Sequence, residues 1–193
     1  MLFLSLALSI PSGEAFIKQS EFKKEILSEM IKNEPFTKSE VNSKDDIQSL
    51  NLVGASFHQK TCAQTFSVLG NYENYKNIIG FIKTSTYNES SKKLFFKLSH
   101  LLLPFDMFLS FKIPRIRGAG MYRFVFDSGF LKGLIGEVVV EETKKANYSC
   151  FISIDIKWSG PQSPFPDFVF RYFSKFLLKR SIFRLWEKSG HHF

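Results

Sequence analysis

Few residues of this chain could carry out chemistry, and none of them lies in a catalytic pattern. Of the four histidines, His191 and His192 stand at the C-terminus, where a metal site would need further ligands. His58 and His100 lie in apolar segments, as structural histidines do. No serine or cysteine has the sequence surroundings of a nucleophile, and the G-x-S-x-G pattern is absent. The sequence therefore predicts no catalytic residue, no metal site and no cofactor.

The two cysteines, Cys62 and Cys150, allow two interpretations. Thiols of an exported protein commonly pair in a disulfide bond. Free cysteines are also among the most frequently buried residues, so two separate buried thiols are an equal alternative. The residues themselves leave both interpretations open.

One charged residue lies in an unexpected place at the end of an aromatic segment. Residues 165–178 read FPDFVFRYFSKFLL and are typical of a long helix. At about 100° per residue, Arg180 projects toward one aromatic side of that helix, which we expect to face the interior. The members of that side are Val169, Tyr172, Phe173 and Phe176, and a second apolar strip opposite consists of Leu178, Ile182 and Leu185. A buried charge needs a partner, either a ligand carboxylate or phosphate or an internal acid such as Asp127 or Glu137, unless the side chain extends to the rim.

The composition is that of one folded domain with a substantial core. The chain has 193 residues, of which 44% are hydrophobic and 23% are charged. Its 23 phenylalanines suit a core or the lining of an apolar pocket, because aromatic side chains bury large areas.

The formal charge of +8 indicates a basic surface. Such a surface attracts anionic partners, but the lysines are spread along the chain and no nucleic-acid-binding motif is present. A solvated surface is the default interpretation and an anionic membrane surface the next, and we expect no binding of nucleic acid.

The composition also divides the chain into segments. Residues 1–15 combine an apolar run with small residues before a cleavage point, as a secretion signal does, although no Lys or Arg precedes the run. They are too few to span a bilayer, which takes about 20 apolar residues. Residues 16–34 predict an amphipathic helix, residues 35–48 a polar linker, residues 49–189 the main domain and residues 190–193 a tail. We therefore expect an exported protein, either periplasmic or secreted.

Alternation of apolar and polar residues predicts a sheet in the main domain. The predicted strands are residues 50–58, 94–99, 107–113, 121–127, 134–142 and 148–158, and residues 61–69 and 71–79 predict short helices. Successive side chains of a strand point to opposite faces, so the apolar residues of these strands lie on one side of one sheet. Gly136, on that side, predicts a bend or a close approach.

With elements in this order, three stretches of the chain resemble a known superfamily. They are Ala63 to Tyr75 (AQTFSVLGNYENY), Gly120 to Phe124 (GMYRF) and Glu137 to Glu141 (EVVVE), and an amphipathic helix follows them. Together they are similar to the START-like, or helix-grip (SRPBCC), superfamily, of the bacterial polyketide cyclase/dehydrase and lipid-transport type. Asn71 and Lys76 depart from the Asp and Pro that are usual at these places.

The resemblance implies an α+β helix-grip fold. In it, a curved seven-stranded antiparallel sheet wraps around a long C-terminal helix, with an apolar cavity between them. It also makes the first and last strands neighbours, which would bring Cys62 and Cys150 close enough to pair. We expect the cavity wall to comprise Phe96, Phe111, Tyr122, Phe124, Val138, Ile152, Ile154, Val169, Tyr172, Phe173, Phe176 and Arg180, with the arginine near one mouth.

The function that this fold implies is binding of a lipid or other apolar small molecule by an exported protein, without a cofactor. Three alternatives stay open: a cyclase/dehydrase-type enzyme using the same cavity, a ubiquinone-binding protein, and a protein-interaction module. The N-terminal helix carries a stripe of Phe22, Ile26 and Met30, which the helix-grip fold itself leaves without a partner. We expect this stripe to pack on the strip of Leu178, Ile182 and Leu185.

Overall fold

The computed structural model of the protein describes Met30 and residues 34–100, 105–129, 131–145 and 147–190. The signal peptide predicted for residues 1–15, most of the helix predicted for residues 16–34 and the last three residues of the tail lie outside this part. No helix in the described ranges is both long and apolar enough to cross a lipid bilayer.

The described part forms one antiparallel sheet and three α-helices. The strands are β1 (Phe36–Lys44), β2 (Ile47–His58), β3 (Ile82–Asn88), β4 (Lys93–Leu98), β5 (Met107–Lys112), β6 (Gly120–Ser128), β7 (Ile135–Lys145) and β8 (Tyr148–Pro161). The helices are α1 (Cys62–Leu69), α2 (Tyr75–Ile78), which follows a 3₁₀ turn at Tyr72–Asn74, and α3 (Asp167–Lys188). The strand order is β1-β2-β8-β7-β6-β5-β4-β3. The predicted α+β fold, a curved antiparallel sheet around a C-terminal helix, is confirmed, with eight strands instead of seven.

Side-chain alternation explains the central strands. In β6, Phe124 and Phe126 are buried on the concave side, whereas Arg123 and Val125 are exposed on the convex side. A shift of one residue in register would exchange these two sets, so the burial of the concave side fixes the register.

The eighth strand is β1, and it corrects the prediction of a linker over residues 35–48. This segment forms a hairpin with β2 through Asp45 and Asp46, both at positive φ (50° and 61°), as two-residue hairpin turns require. Thr37, Ser39 and Val41 alternate with exposed residues and are buried. Small polar side chains concealed the alternation, because a buried serine can be satisfied by a hydrogen bond: the Oγ atoms of Ser39 and Ser174 in α3 lie 2.8 Å apart.

Strand β3 is not predicted by the alternation of apolar and polar residues. It reads IKTSTYN, and its register shifts between Ile82 and Thr84. A strand at the sheet edge with this irregularity has no period-2 apolar pattern, so pattern analysis does not detect it.

Helix α3 is fixed to β2 at its N-terminal end by a buried glutamine. Gln48 is fully buried. Its Nε2 donates to the Phe165 carbonyl (3.2 Å) and to Asp167 Oδ1 (2.7 Å), and its Oε1 accepts from the Ser163 backbone N–H (3.2 Å). These bonds fix the loop before α3 and hence where the helix begins.

The C-terminal end of α3 is fixed to the same strand. Trp186 Nε1 donates to Ser56 Oγ (3.0 Å) and to the Phe57 carbonyl (3.2 Å). His58 Nδ1 accepts from the Lys60 N–H (2.9 Å), and its Nε2 lies 2.7 Å from Ser189 Oγ. With both ends held on β2, α3 lies along the concave face of the sheet.

A second, smaller apolar cluster lies apart from this main core. It contains Met30, Ala55, Phe57, Tyr148 and Phe151. The sheet therefore buries apolar residues on its convex side as well, which corrects the prediction of a single apolar side. Met30 belongs to this cluster, so its predicted contact with Leu178, Ile182 and Leu185 is wrong; the other two residues of its stripe lie outside the described part.

A disulfide bond joins Cys62 to Cys150, with 4.9 Å between their Cα atoms. Cys150 lies opposite His58 in the β2–β8 pair. Cys62 is four residues after His58, at the start of α1. The hydroxyl of Thr61 caps that start by accepting from the Gln64 N–H. The bond therefore ties α1 to β8.

Candidate binding cavity between the sheet and the last helix

A cavity of about 280 Å³ lies between the concave face of the sheet and α3. The strand side of its wall includes Phe96, Phe111, Phe124, Val138, Ile152 and Ile154. The helix side includes Leu178, Ile182 and Leu185, and the wall also includes Tyr72, Tyr75 and Ile79. The volume lies close to the lower limit of small-molecule sites, about 300 Å³.

The rings on the strand side form one connected aromatic surface. The ring centroid of Phe111 lies 5.5 Å from that of Phe96, 5.8 Å from that of Phe124 and 4.7 Å from that of Phe126. Gly136 makes room for this surface, since a Cβ at that position would lie 2.2 Å from Phe124 Cζ. The close approach expected at this glycine is therefore the approach of the Phe124 ring.

A second glycine lets the helix approach the sheet. A Cβ on Gly54 would lie 2.8 Å from Leu178 Cδ2 and 3.1 Å from Ile182 Cδ1. Without a side chain on this position of β2, the apolar side of α3 packs directly on the strand.

The polar groups of the wall bond to the protein itself. Tyr72 donates to the Pro114 carbonyl (2.9 Å), Tyr75 to the Leu69 carbonyl (2.7 Å) and Ser181 to the Leu177 carbonyl (2.8 Å). Burial raises the pKa of both tyrosines above that of a free tyrosine, so both stay neutral. No charged side chain is among the described residues of the wall, which therefore offers hydrocarbon and aromatic surface.

Half of the predicted site residues are in the wall. Those that the structure brings together there are Phe96, Phe111, Phe124, Val138, Ile152 and Ile154. Tyr122 packs against the same core but its hydroxyl turns to the loop before β6, where it accepts from the Gly118 N–H (3.0 Å). Of the seven site residues predicted from strand alternation, six therefore lie in the cavity wall and Tyr122 does not.

Only part of the predicted inner face of the helix faces the core, and none of its residues lines the cavity. Tyr172 is 67% exposed, and Arg180 is exposed with its guanidinium 5.8 Å from the Phe183 ring centroid. Phe176 is half-buried beside the His100 ring, at 6.1 Å between centroids. Val169 and Phe173 pack in the main core without lining the cavity. Of the two acids considered as partners for Arg180, Asp127 pairs with Lys93 at 2.8 Å and Glu137 with Arg123 at 2.9 Å.

The face that α3 turns inward is the strip that was expected to point away. Leu178, Ile182 and Leu185 line the cavity, and Ser174 and Ser181 lie on the same side. Aromatic residues surround the helix on every side, so periodicity could not select the inner face. The inner face of α3 is determined instead by small residues, because Ser174 in α3 and Gly54 in β2 permit close packing there.

An arginine that sequence analysis did not single out lies behind the cavity wall, with its guanidinium 5.7 Å from the ring centroid of the wall residue Tyr72. Arg115 donates to both carboxylate oxygens of Glu73 (3.1 and 2.7 Å), to the Gly70 carbonyl (2.6 Å) and to Glu89 (2.8 Å). Its guanidinium lies 4.5 Å from the Tyr87 ring centroid. Its hydrogen bond lowers the pKa of Glu73. The loop between β5 and β6 supplies this arginine, and no local pattern marks it.

In the described ranges, no group of three or more His, Cys, Asp or Glu side chains is arranged to hold a metal ion. The cavity is therefore the site that we consider for function.

Solved structures with a similar fold share little sequence with this chain. A START superfamily protein from Mycobacterium smegmatis superposes with a TM-score of 0.57 at 9% identity, over 72% of this chain and 96% of its own. A conserved protein from Geobacillus kaustophilus gives 0.56 at 13% identity, over 74% and 97%. The protein Ara h 8.0201 gives 0.55 at 12% identity, over 73% and 97%. No protein-family model matches the chain, and no curated protein does.

Identities this low establish the fold alone. The chain has the START-like, helix-grip fold, and one of the similar structures carries the START name.

Proposed function

We propose that this protein binds a lipid or another apolar small molecule in the cavity between the sheet and α3. The apolar wall is the observation that carries the proposal. Its polar groups are satisfied within the protein, so the ligand gains affinity from burial of apolar surface, about 25 cal/mol for each Å².

The same wall restricts the chemistry of the ligand. A carboxylate or phosphate placed inside would lose its hydration, and the described wall offers no cation to compensate for that loss. The part of the ligand that enters the cavity is therefore neutral. A charged head group, where the ligand has one, stays at the protein surface.

We further propose that the protein is exported and that an anionic membrane surface is the source or destination of the ligand. The disulfide supports an oxidising compartment, since cytosolic thiols are kept reduced. An apolar ligand is poorly soluble in water, which supports membranes as the place where it is exchanged.

No arrangement in the described wall favours a cyclase/dehydrase-type reaction, which would need polar groups converging on a substrate. We therefore put forward binding, and no second function.

The test is a cavity-filling substitution. Ile152→Trp adds a large side chain to the wall, and Val125→Trp adds the same side chain on the exposed convex face as a matched control. We expect the wild type and the control to bind Nile red, a neutral apolar dye, and the filled variant to lose this binding while keeping the wild-type circular dichroism spectrum. Mass spectrometry of molecules that co-purify with the wild type would identify the natural ligand. Equal dye binding by all three proteins would refute the proposal.

A further inference from the structure

The outer face of α3 exposes the two most solvent-accessible large apolar side chains of the described residues. Phe168 is 66% exposed and Tyr172 is 67% exposed. They lie four residues apart and are therefore neighbours on one side of the helix. Phe176, a further four residues on, is half-buried beside His100. A row of aromatic rings thus faces away from the core.

Cations lie between these rings. Helix α3 contains six basic residues and two acidic ones. Lys179 forms an exposed ion pair with Glu34 at 2.8 Å, whereas no acidic side chain of the described ranges pairs with Lys175 or Arg180. We call this surface the outer patch, and its members are Phe168, Tyr172, Lys175, Phe176, Lys179 and Arg180.

The combination of rings and cations limits what can bind there. A nucleic-acid duplex would use the lysines but would gain little from Phe168, because its bases are already stacked on one another. A protein groove would use the rings but would have to desolvate the lysines, which are depleted at protein interfaces. The interface of an anionic bilayer accepts both, because aromatic rings insert at the level of the head groups and basic residues are attracted to the lipid charge.

We propose that the outer patch of α3 docks on the surface of an anionic lipid bilayer. The biological purpose of this docking rests on the proposed function, but the geometry of the outer patch does not depend on it. Leu178 and Ile182, on the inner side of the same helix, line the cavity. A docked α3 would therefore hold the cavity about one helix diameter, roughly 10 Å, from the lipid.

The experiment is sedimentation of the full chain with vesicles of phosphatidylcholine, with and without phosphatidylglycerol. We expect binding to the anionic vesicles that weakens as salt is raised. Neutralisation by Lys175→Gln and Arg180→Gln should weaken the partition coefficient by about fivefold for each charge, from roughly 1 kcal/mol per basic residue. The pair Phe168→Ser and Tyr172→Ser should also weaken it, and by a similar extent at high and low salt.

Matched controls come from other exposed surfaces. Lys76→Gln with Lys83→Gln removes two charges elsewhere, and Val125→Ser with Ile135→Ser removes two exposed apolar side chains from the sheet. Both control pairs should bind vesicles as the wild type does. Equal losses in controls and patch variants would overturn the proposal, because they would show that total charge or total apolar exposure drives binding. Absence of vesicle binding by the wild type would also overturn it.

The two proposals fail separately. The Ile152→Trp variant should still bind vesicles, since the cavity is on the other side of the helix. The patch variants should still bind Nile red in solution. A variant that loses only dye binding is therefore altered in the cavity, and a variant that loses only vesicle binding is altered in the outer patch.

Discussion

Reduction of the Cys62–Cys150 disulfide should remove a large share of the stability of this protein. The two cysteines are 88 positions apart. In the chain-entropy model, opening a closed loop of that length raises the entropy of the unfolded state. It lowers the free energy of unfolding by about 4.6 kcal/mol at room temperature, less any strain that opening the bond relieves. Domains of this kind are usually stable by about 5–15 kcal/mol, so the reduced protein would be marginal.

Urea unfolding followed by tryptophan fluorescence measures this difference. Reduction of the wild-type protein is the cleanest perturbation, because both cysteines are buried and a substitution would also remove packing. We expect a lower unfolding midpoint in reductant, together with a steeper slope, since the open chain exposes more surface. The variant with Cys62→Ala and Cys150→Ala is the control, and its curve should not respond to reductant.

Hydrogen exchange locates the effect. The bond holds the start of α1, and the chain then runs through Gly70 to Tyr72 and Tyr75 in the cavity wall. Reduction should therefore raise exchange in residues 62–79 more than in β5 and β6. The reasoning is refuted by two reactive thiols in the unfolded, unreduced protein, or by unfolding curves that coincide with and without reductant.

Three further substitutions or conditions test other contacts. Gln48→Leu should lower the free energy of unfolding by about 2–4 kcal/mol in urea titrations, because buried partners of the amide, including the Phe165 carbonyl, are left unsatisfied. Burial lowers the pKa of His58 in the folded state, so the unfolded state binds the proton first; stability should be constant above about pH 6.5 and fall below it, and His58→Gln should flatten this dependence in thermal melts. Arg115→Met should cost about 1–2 kcal/mol of stability in the same titrations, and Arg115→Lys should restore little of it, because lysine lacks the planar fork that reaches Glu73, the Gly70 carbonyl and Glu89 at once.

The parts of the fold that sequence predicted are those in which one physical signal dominates. Strands β6 and β8 alternate large apolar and polar side chains, so their faces follow from period 2 alone. The cavity residues of those strands, such as Phe124 and Ile152, were predicted for this reason and lie in the wall. Gly136 was predicted to mark a bend or a close approach, and the approach is that of the Phe124 ring, because a missing side chain in a strand leaves room for a neighbour.

The parts that sequence missed depend on partners distant in the chain. Strand β1 has small polar residues on its inner side, and Ser39 is stable there only because Ser174 lies opposite. The role of Arg115 is recognised only when Glu73 and Tyr87 surround it. The periodicity of one segment cannot reveal a contact that depends on a residue in a distant segment.

The orientation of α3 shows how close packing decides which side of a helix turns inward. The side centred on Tyr172 carries aromatic rings together with Lys175 and Lys179, and it faces out. The inner side carries Ser174 and Leu178, and it meets Gly54 at a distance that a methyl group would already obstruct. Close packing along that line lets both ends of the helix reach β2, where Gln48 and Trp186 make their hydrogen bonds. A helix turned to bury Tyr172 would lose these bonds at both ends, and each buried group left unsatisfied costs about 1–3 kcal/mol. The exposed rings are thus the consequence of how the helix is anchored, and they are available to a surface outside the protein.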